Sequence, residues 1–471
     1  MAKLIDQLSA PSTKNELDLF SVPPTQVAIE SGYWHAARLI NSCTSSGPWQ
    51  FHINADPQYL QLSKNYLWVK LRIVKADGQQ MAVAPGEQAG EIGEAVFEGG
   101  RSMQQVNNAN DDPPAAVPAP GVGPINLIGK TLFKQVKVHI NSKLAFDSGE
   151  NYAYRAFIET ELNYGLDAKA SHLAAALYSR DRPPAKMESN ENIGFRWRAR
   201  WFDGSNVVEL MAPIHCELFQ TERLLLDNTE LNLELHRNSD PFLLLSFNDV
   251  AENYKIEIVD MVWYIRKVNI LKSVQMGIES TLARFPAKYP VRRVSMTKLH
   301  IAPGRRSTPS NNLFTAQIPR RVVVGFVDSD AYYGSYKKSP FRFKHYNISQ
   351  IKLNVGGKIY PSEPLQMDFD KNQYMRPFVQ LFEAMGQAND DTGNLIGLEE
   401  FKQCRCLFVF DLTPDESDSS HWQLVRDGSV SVEAQFSQDI PLTGVEMLCY
   451  FEFDNLITID RMRNVYFDYS V

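Results

Sequence analysis

The 471-residue sequence predicts an all-β chain made of two copies of one β-sandwich domain. Three observations carry that expectation: strand-period alternation from end to end, few helical patterns, and an internal repeat whose features recur in the same order. In 66–74, Leu67, Val69, Leu71 and Ile73 fall on one face and Trp68, Lys70 and Arg72 on the other. In 230–236, Leu231, Leu233 and Leu235 oppose Asn232, Glu234 and His236. In 430–436, Val430, Val432, Ala434 and Phe436 oppose Ser431, Glu433 and Gln435. Residues 136–140 and 351–355 alternate likewise. Period-2 patterns mark strands buried on one face and wet on the other. Many of them, separated by turn signals, mean a sandwich or a barrel.

Helical patterns are confined to 150–164, 372–385 and 271–285, with one more turn at 398–404. The repeat then sets the domain count. Val136-Lys137-Val138-His139-Ile140-Asn141-Ser142-Lys143-Leu144 matches Ile351-Lys352-Leu353-Asn354-Val355-Gly356-Gly357-Lys358-Ile359. A helix pattern follows each, with Arg155-Ala156-Phe157-Ile158 matching Arg376-Pro377-Phe378-Val379. Last comes a turn, a strand and a closing proline, Asp227 to Pro241 and Asp427 to Pro441, each followed by a long strand. Three matches in one order favour two copies of a domain, with ample chain for two cores. The expected layout is an arm over 1–24, a first domain over 25–270, a helix and linker over 271–290, and a second domain over 291–471. The first domain carries a long loop, 76–124, rich in Gly and then Pro. Such a loop is either a disordered surface insertion or an ordered binding loop.

Composition narrows the function. A net charge of −7 excludes a bulk nucleic-acid condenser but leaves room for a local basic patch. No apolar run approaches the roughly 20 residues of a membrane span. The opening Met1-Ala2-Lys3-Leu4-Ile5-Asp6-Gln7 has no signal core, so export by signal peptide is not expected. The five cysteines (Cys43, Cys216, Cys404, Cys406, Cys449) then read as reduced thiols.

The chemistry on offer is thin. Gly123 to Thr131 resembles a phosphate loop, but five residues rather than four separate the glycines, and an alternating strand follows. Cys404 and Cys406 have no second pair. The nine histidines (35, 52, 139, 172, 215, 236, 300, 345, 421) are dispersed, without His-x-His. There is no Gly-x-Ser-x-Gly elbow. Asp390-Asp391, Asp328/Asp330 and Glu399-Glu400 read as solvated loop carboxylates. No catalytic, cofactor-binding or metal-binding residue is expected.

One asymmetry stands apart. Residues 284–352 hold fourteen Lys and Arg against Asp328 and Asp330. The run is either a surface facing a polyanion or acidic neighbour, or solvated linker and edge-strand cations. Its candidate residues are Arg292, Arg293, Arg305, Arg306, Arg320 and Arg321.

Six stretches carry a resemblance. They are Leu17-Asp18-Leu19-Phe20-Ser21-Val22-Pro23-Pro24-Thr25-Gln26, Tyr154-Arg155-Ala156-Phe157-Ile158-Glu159-Thr160, Lys288-Tyr289-Pro290-Val291-Arg292-Arg293-Val294, Arg321-Val322-Val323-Val324-Gly325-Phe326-Val327-Asp328, Phe410-Asp411-Leu412-Thr413-Pro414-Asp415 and Ile459-Asp460-Arg461-Met462-Arg463-Asn464-Val465. In this order, across nearly the whole chain, the sequence resembles the major capsid proteins of Polinton (Maverick) elements and adintovirus-like viruses. The resemblance implies a double jelly roll: two eight-stranded sandwiches in tandem, with a few short helices between strands. It also implies a structural protein rather than an enzyme. Its chains would form pseudo-hexameric homotrimers that tile an icosahedral shell around double-stranded DNA. The implied partners are other copies of the chain, a single jelly-roll vertex (penton) protein and minor capsid proteins. Contact with packaged DNA would be non-specific, through a basic surface facing inward. The location would be the virion, with assembly inside the host cell, in the nucleus. Two rivals fit the two-sandwich reading: a carbohydrate-binding or adhesion protein, and a double-cupin metalloenzyme. The missing export signal counts against the first and the missing ligand cluster against the second.

Overall fold

The computed structural model describes residues 15–20, 22–43, 46–82, 121–247, 253–309, 312–416 and 421–469. Most of the expected arm (1–14 and 21) and most of the long loop (83–120) lie outside the described residues.

The first group of strands is β1 (Ile29–Arg38), β2 (Trp49–Ile53), β3 (Tyr59–Lys75), β4 (Val122–Pro124), β5 (Phe133–Ile140), β6 (Lys143–Asp147), β7 (Val208–Ala212), β8 (Leu231–Arg237), β9 (Leu244–Ser246) and β10 (Tyr254–Ile270). The second is β11 (Ala287–Ile301), β12 (Asn312–Phe314), β13 (Arg321–Asp328), β14 (Ile348–Val355), β15 (Lys358–Gln366), β16 (Leu407–Asp411), β17 (Val430–Phe436), β18 (Val445–Ile459) and β19 (Val465–Phe467). In the first group the sheets run β1-β10-β3-β7 and β2-β8-β5-β6, with β4 and β9 as a separate pair. In the second they run β11-β18-β13-β16, with β19 on β18, and β12-β17-β14-β15. Exchange each strand for its counterpart and the two four-strand orders are the same. The chain is a double jelly roll.

The sequence repeat lands on counterpart elements. The hairpins are β5-β6 and β14-β15, and the helices Tyr152–Asn163 and Met375–Ala384 follow them. The third match lands on β8 and β17, then on β10 and β18. The helix Lys272–Leu282 stands between the two groups of strands, and Leu398–Gln403 gives the expected extra turn. The helix Ile193–Arg200 was not expected from the sequence.

Both hairpin turns need two residues with positive φ, which is what a two-residue turn matched to strand twist requires. Asn141 and Ser142 supply φ of 48° and 62°, Gly356 and Gly357 supply 56° and 81°.

Inside each roll the alternating apolar faces meet. Phe51 packs edge-on against Trp263 at 6.3 Å in the first, and Phe326 against Phe436 at 5.6 Å in the second. Such pairs add about 0.5–1.5 kcal/mol beyond the area they bury. Edge strands are blunted. β12 has three residues, and β15 carries Pro361 and Pro364, which cannot donate to a further strand.

The two outer sheets differ in burial. In β1-β10-β3-β7, residues 66–74 keep the wet and dry alternation. In the counterpart sheet every residue of β13 and β16 is buried, as is β18 from Val445 to Asn455. Its cover comes from both rolls: Phe343 and the helix Met375–Ala384 of the second lie on β13 and β16, and the helix Tyr152–Asn163 of the first reaches Tyr450 of β18 through Glu159.

Candidate functional site

The first roll lays the helix Tyr152–Asn163 on the outer face of the second roll's sheet. Every residue from Tyr152 to Leu162 is buried. Phe157 stacks on Phe341 at 4.2 Å and 2°, and Tyr154 stacks on Tyr332 at 5.6 Å. Tyr154 also meets Phe341 and Phe343 edge-on. Beneath them lies Gly325 of β13. A Cβ there would come within 2.6 Å of the Phe343 ring and 2.9 Å of Leu407, so only glycine lets the aromatic layer reach the sheet.

Two ionic clusters flank this layer. In the first, Arg405 reaches Asp181 at 3.2 Å and Glu161 at 3.6 Å. Asp181 also holds Arg198 at 3.1 Å, and Lys169 bonds both Glu161 (3.0 Å) and the carbonyl of Asn394 (2.7 Å). Arg180 grips Glu400 with two nitrogens, at 2.5 and 2.7 Å. Burial alone would raise the Asp181 carboxyl. Arg198 and Arg405 outweigh it and hold it below its ordinary value. In the second cluster, Arg155 joins Glu159 (2.8 Å) and Glu217 (2.9 Å). Glu159 accepts from His215 at 2.5 Å, and Glu217 accepts from the Val294 amide of β11 at 2.7 Å. Burial opposes ionisation of Glu159, but Arg155 and then His215 keep its carboxyl at about 2. His215 itself is lowered, chiefly by burial and then by Lys130. Ion pairs of this depth recover little net stability, because desolvation offsets the attraction. They penalise any misplacement strongly, and here they fix one roll against the other.

The basic run is dispersed by folding. Arg320 and Arg321 are buried, not at a surface. Arg320 reaches Glu452 (3.8 Å) and Asp454 (3.6 Å), while Arg321 bonds the carbonyl of Ala384 (3.0 Å) and Glu452 (3.3 Å). Arg292 approaches the same Glu452 at 4.0 Å. Arg293 is half-buried over the rings of Phe453 (4.6 Å) and Tyr469 (4.8 Å), with Asn455 at 2.9 Å. Arg305 and Arg306 are exposed, and Arg306 pairs with Asp439 at 2.6 Å. Elsewhere Lys344 and Lys338 share Asp328, Arg342 holds Glu188, and Lys352 holds Glu433. Sequence adjacency concentrated these cations; their carboxylates arrive from distant segments.

Other motifs resolve into packing. Lys130 of the phosphate-loop look-alike points inward to Thr160 and over the Tyr164 ring, its ammonium lowered to about 8 by burial against the pull of Glu159. Cys404 and Cys406 are buried, and burial raises the Cys404 thiol to about 12. Asp328 and Glu400, read as solvated loop carboxylates, are instead buried and paired, while Asp390 and Asp391 are exposed. Among the described residues no three His, Cys, Asp or Glu side chains are grouped to hold a metal ion, and no helix is long and apolar enough to cross a membrane.

No protein-family model matches the chain. Solved structures do. A chain of the Sputnik virophage structure is 12% identical with a TM-score of 0.59, covering 100% of this chain and 94% of its own. VP54 of PBCV-1 is 9% identical with a TM-score of 0.58, covering 96% of this chain and all of its own. The Faustovirus major capsid protein is 8% identical at 0.52, covering 94% and 92%. At these identities the likeness is one of fold, and it sets the chain among double jelly-roll proteins. At sequence level an uncharacterized protein of Caenorhabditis elegans is 30% identical over 447 residues, covering 94% of this chain and 98% of that protein. The chain belongs to the family of that nematode protein.

Proposed function

We propose that the chain is a major capsid protein of the Polinton type, a structural rather than catalytic molecule. Three chains form a pseudo-hexameric ring, and such trimers tile an icosahedral shell around double-stranded DNA. The observation that carries this reading is the pair of topologically matched rolls, locked by buried charge and aromatic stacking into one rigid body. A shell needs a stiff tile with several similar lobes, and two fused rolls give a trimer six. Structural likeness to the Faustovirus major capsid protein over nearly the full chain supports it.

In this reading 1–24 is an N-terminal arm, and the rolls occupy 25–270 and 291–471 with the linker 271–290 between them. The partners are other copies of the chain, a single jelly-roll vertex protein and minor capsid proteins, in the virion, after assembly in the host nucleus. Arg292, Arg293, Arg305 and Arg306 contribute an inward surface for non-specific contact with DNA. Light scattering behind a sizing column, with negative-stain imaging, tests the assembly. A species of three times 53.5 kDa with a hexagonal outline, or closed shells, is expected. A monomer at every concentration overturns it. Charge reversal at Arg305 and Arg306 tests the inward surface, with loss of packaged DNA as the expected result.

A further inference from the structure

The second roll's outer sheet is dry on both faces because its own Phe343 and helix Met375–Ala384, together with the first roll's helix Tyr152–Asn163, cover it. Among the described residues nothing covers its counterpart in the first roll in the same way. On that outer face Trp34 of β1 is 49% exposed, and its ring lies 5.7 Å from that of Tyr66 on β3. Tyr264 stands opposite Tyr66, and Trp68 stands opposite Met211, which is 39% exposed. Four aromatic side chains and a methionine on the wet side of one sheet are a composition of interface cores, not of open surface.

The complementary half lies at the other end of the chain. The helix Met375–Ala384 is the counterpart of Tyr152–Asn163. It buries Pro377, Leu381 and Ala384 in its own roll and leaves Met375 46% and Val379 48% exposed. At the matching positions of the first helix, Tyr154 and Ile158 are buried. Among the described residues, each chain therefore makes the sheet-to-helix contact once internally and carries one unused half of it at each end.

We propose that these halves meet between copies. The outer sheet of one chain's first roll, through Trp34, Tyr66, Trp68 and Tyr264, receives the Met375–Val379 face of a second copy's second roll. The contact is head-to-tail: it uses two different surfaces and can close into a ring. The inference rests on the trimeric reading above and names its interface.

The test uses two full-length variants. One carries Trp34→Glu with Tyr66→Glu, the other Met375→Glu with Val379→Glu. With a trimeric wild type, each variant alone should fall threefold in mass to 53.5 kDa. Mixed one to one, they should pair into a species of twice the chain mass and go no further, because one intact sheet face meets one intact helix face. A monomeric wild type overturns the trimeric reading itself. A trimeric wild type whose variants also remain trimers overturns this surface and leaves the trimer standing. Variants that are monomers alone and do not pair when mixed overturn it too, since misfolding then accounts for their state.

Discussion

The sheets β1-β10-β3-β7 and β11-β18-β13-β16 share strand order and direction, yet they read differently. Leu67 to Ile73 alternates, whereas Arg321-Val322-Val323-Val324-Gly325-Phe326-Val327-Asp328 is buried throughout. Strand pattern thus reports what lies against a sheet on each side, not the sheet's place in a fold. Two sheets alike in strand order carry different sequences because their neighbours differ.

The contrast makes unequal demands on the two sheets. Arg405→Leu should destabilise most, by about 3–5 kcal/mol, because Asp181 and Glu161 would stay buried with too little positive charge. Phe157→Ala should cost a similar amount, about 3–5 kcal/mol, by emptying the stacked layer over β13. Trp34→Ala, at a half-exposed position on the first roll's outer sheet, should cost less than about 1 kcal/mol in the isolated chain. Urea titration of all three measures the difference, and equal costs would contradict the asymmetry. Gly325→Ala should cost about 1–3 kcal/mol, since its methyl group has to displace Phe343 and Leu407; the same titration reads it.

Acid should act through histidines that burial lowers, and His345 of the second roll is one of them. Burial, then Lys402, holds His345 at about 4, below its ordinary 6.5. The folded state thus binds this proton less well than the unfolded chain does. Stability from His345 is intact above pH 6.5 and is lost as pH falls from 6.5 to about 4. Glu159, held at about 2 against an ordinary 4.5, withdraws its share only below pH 4.5. Thermal midpoints measured from pH 7 to 4 should fall by less in His345→Phe than in the wild type. Smallest of all, Arg306→Ala should shift stability by no more than about 0.2–1 kcal/mol, because its pair with Asp439 is solvent-exposed.

Local pattern made the repeat legible. The turn at Gly356-Gly357, the strands at 231–237 and 430–436 and the two helices all depend on residues close together in the sequence. The ionic clusters were hidden because their members are not. Arg405 and Asp181 are 224 positions apart, and Arg342 and Glu188 are 154 apart. The burial of Arg320 and Arg321 was hidden for the same reason, since Glu452 and Asp454 reach Arg320 from another strand. The helix Ile193–Arg200 escaped notice because Arg196, Arg198 and Arg200 blur its apolar face, although Arg198 is buried on Asp181.

The separation of Arg405 from Asp181 also has a consequence in time. At about 5–20 residues per second, synthesis places roughly 10–45 s between them. For that interval a first roll emerging from the ribosome holds Asp181, Glu161 and the rings of Tyr154 and Phe157 without the half of the molecule that covers them. A nascent chain in this condition is a client for a holding chaperone, and slow codons late in the message would lengthen its exposure.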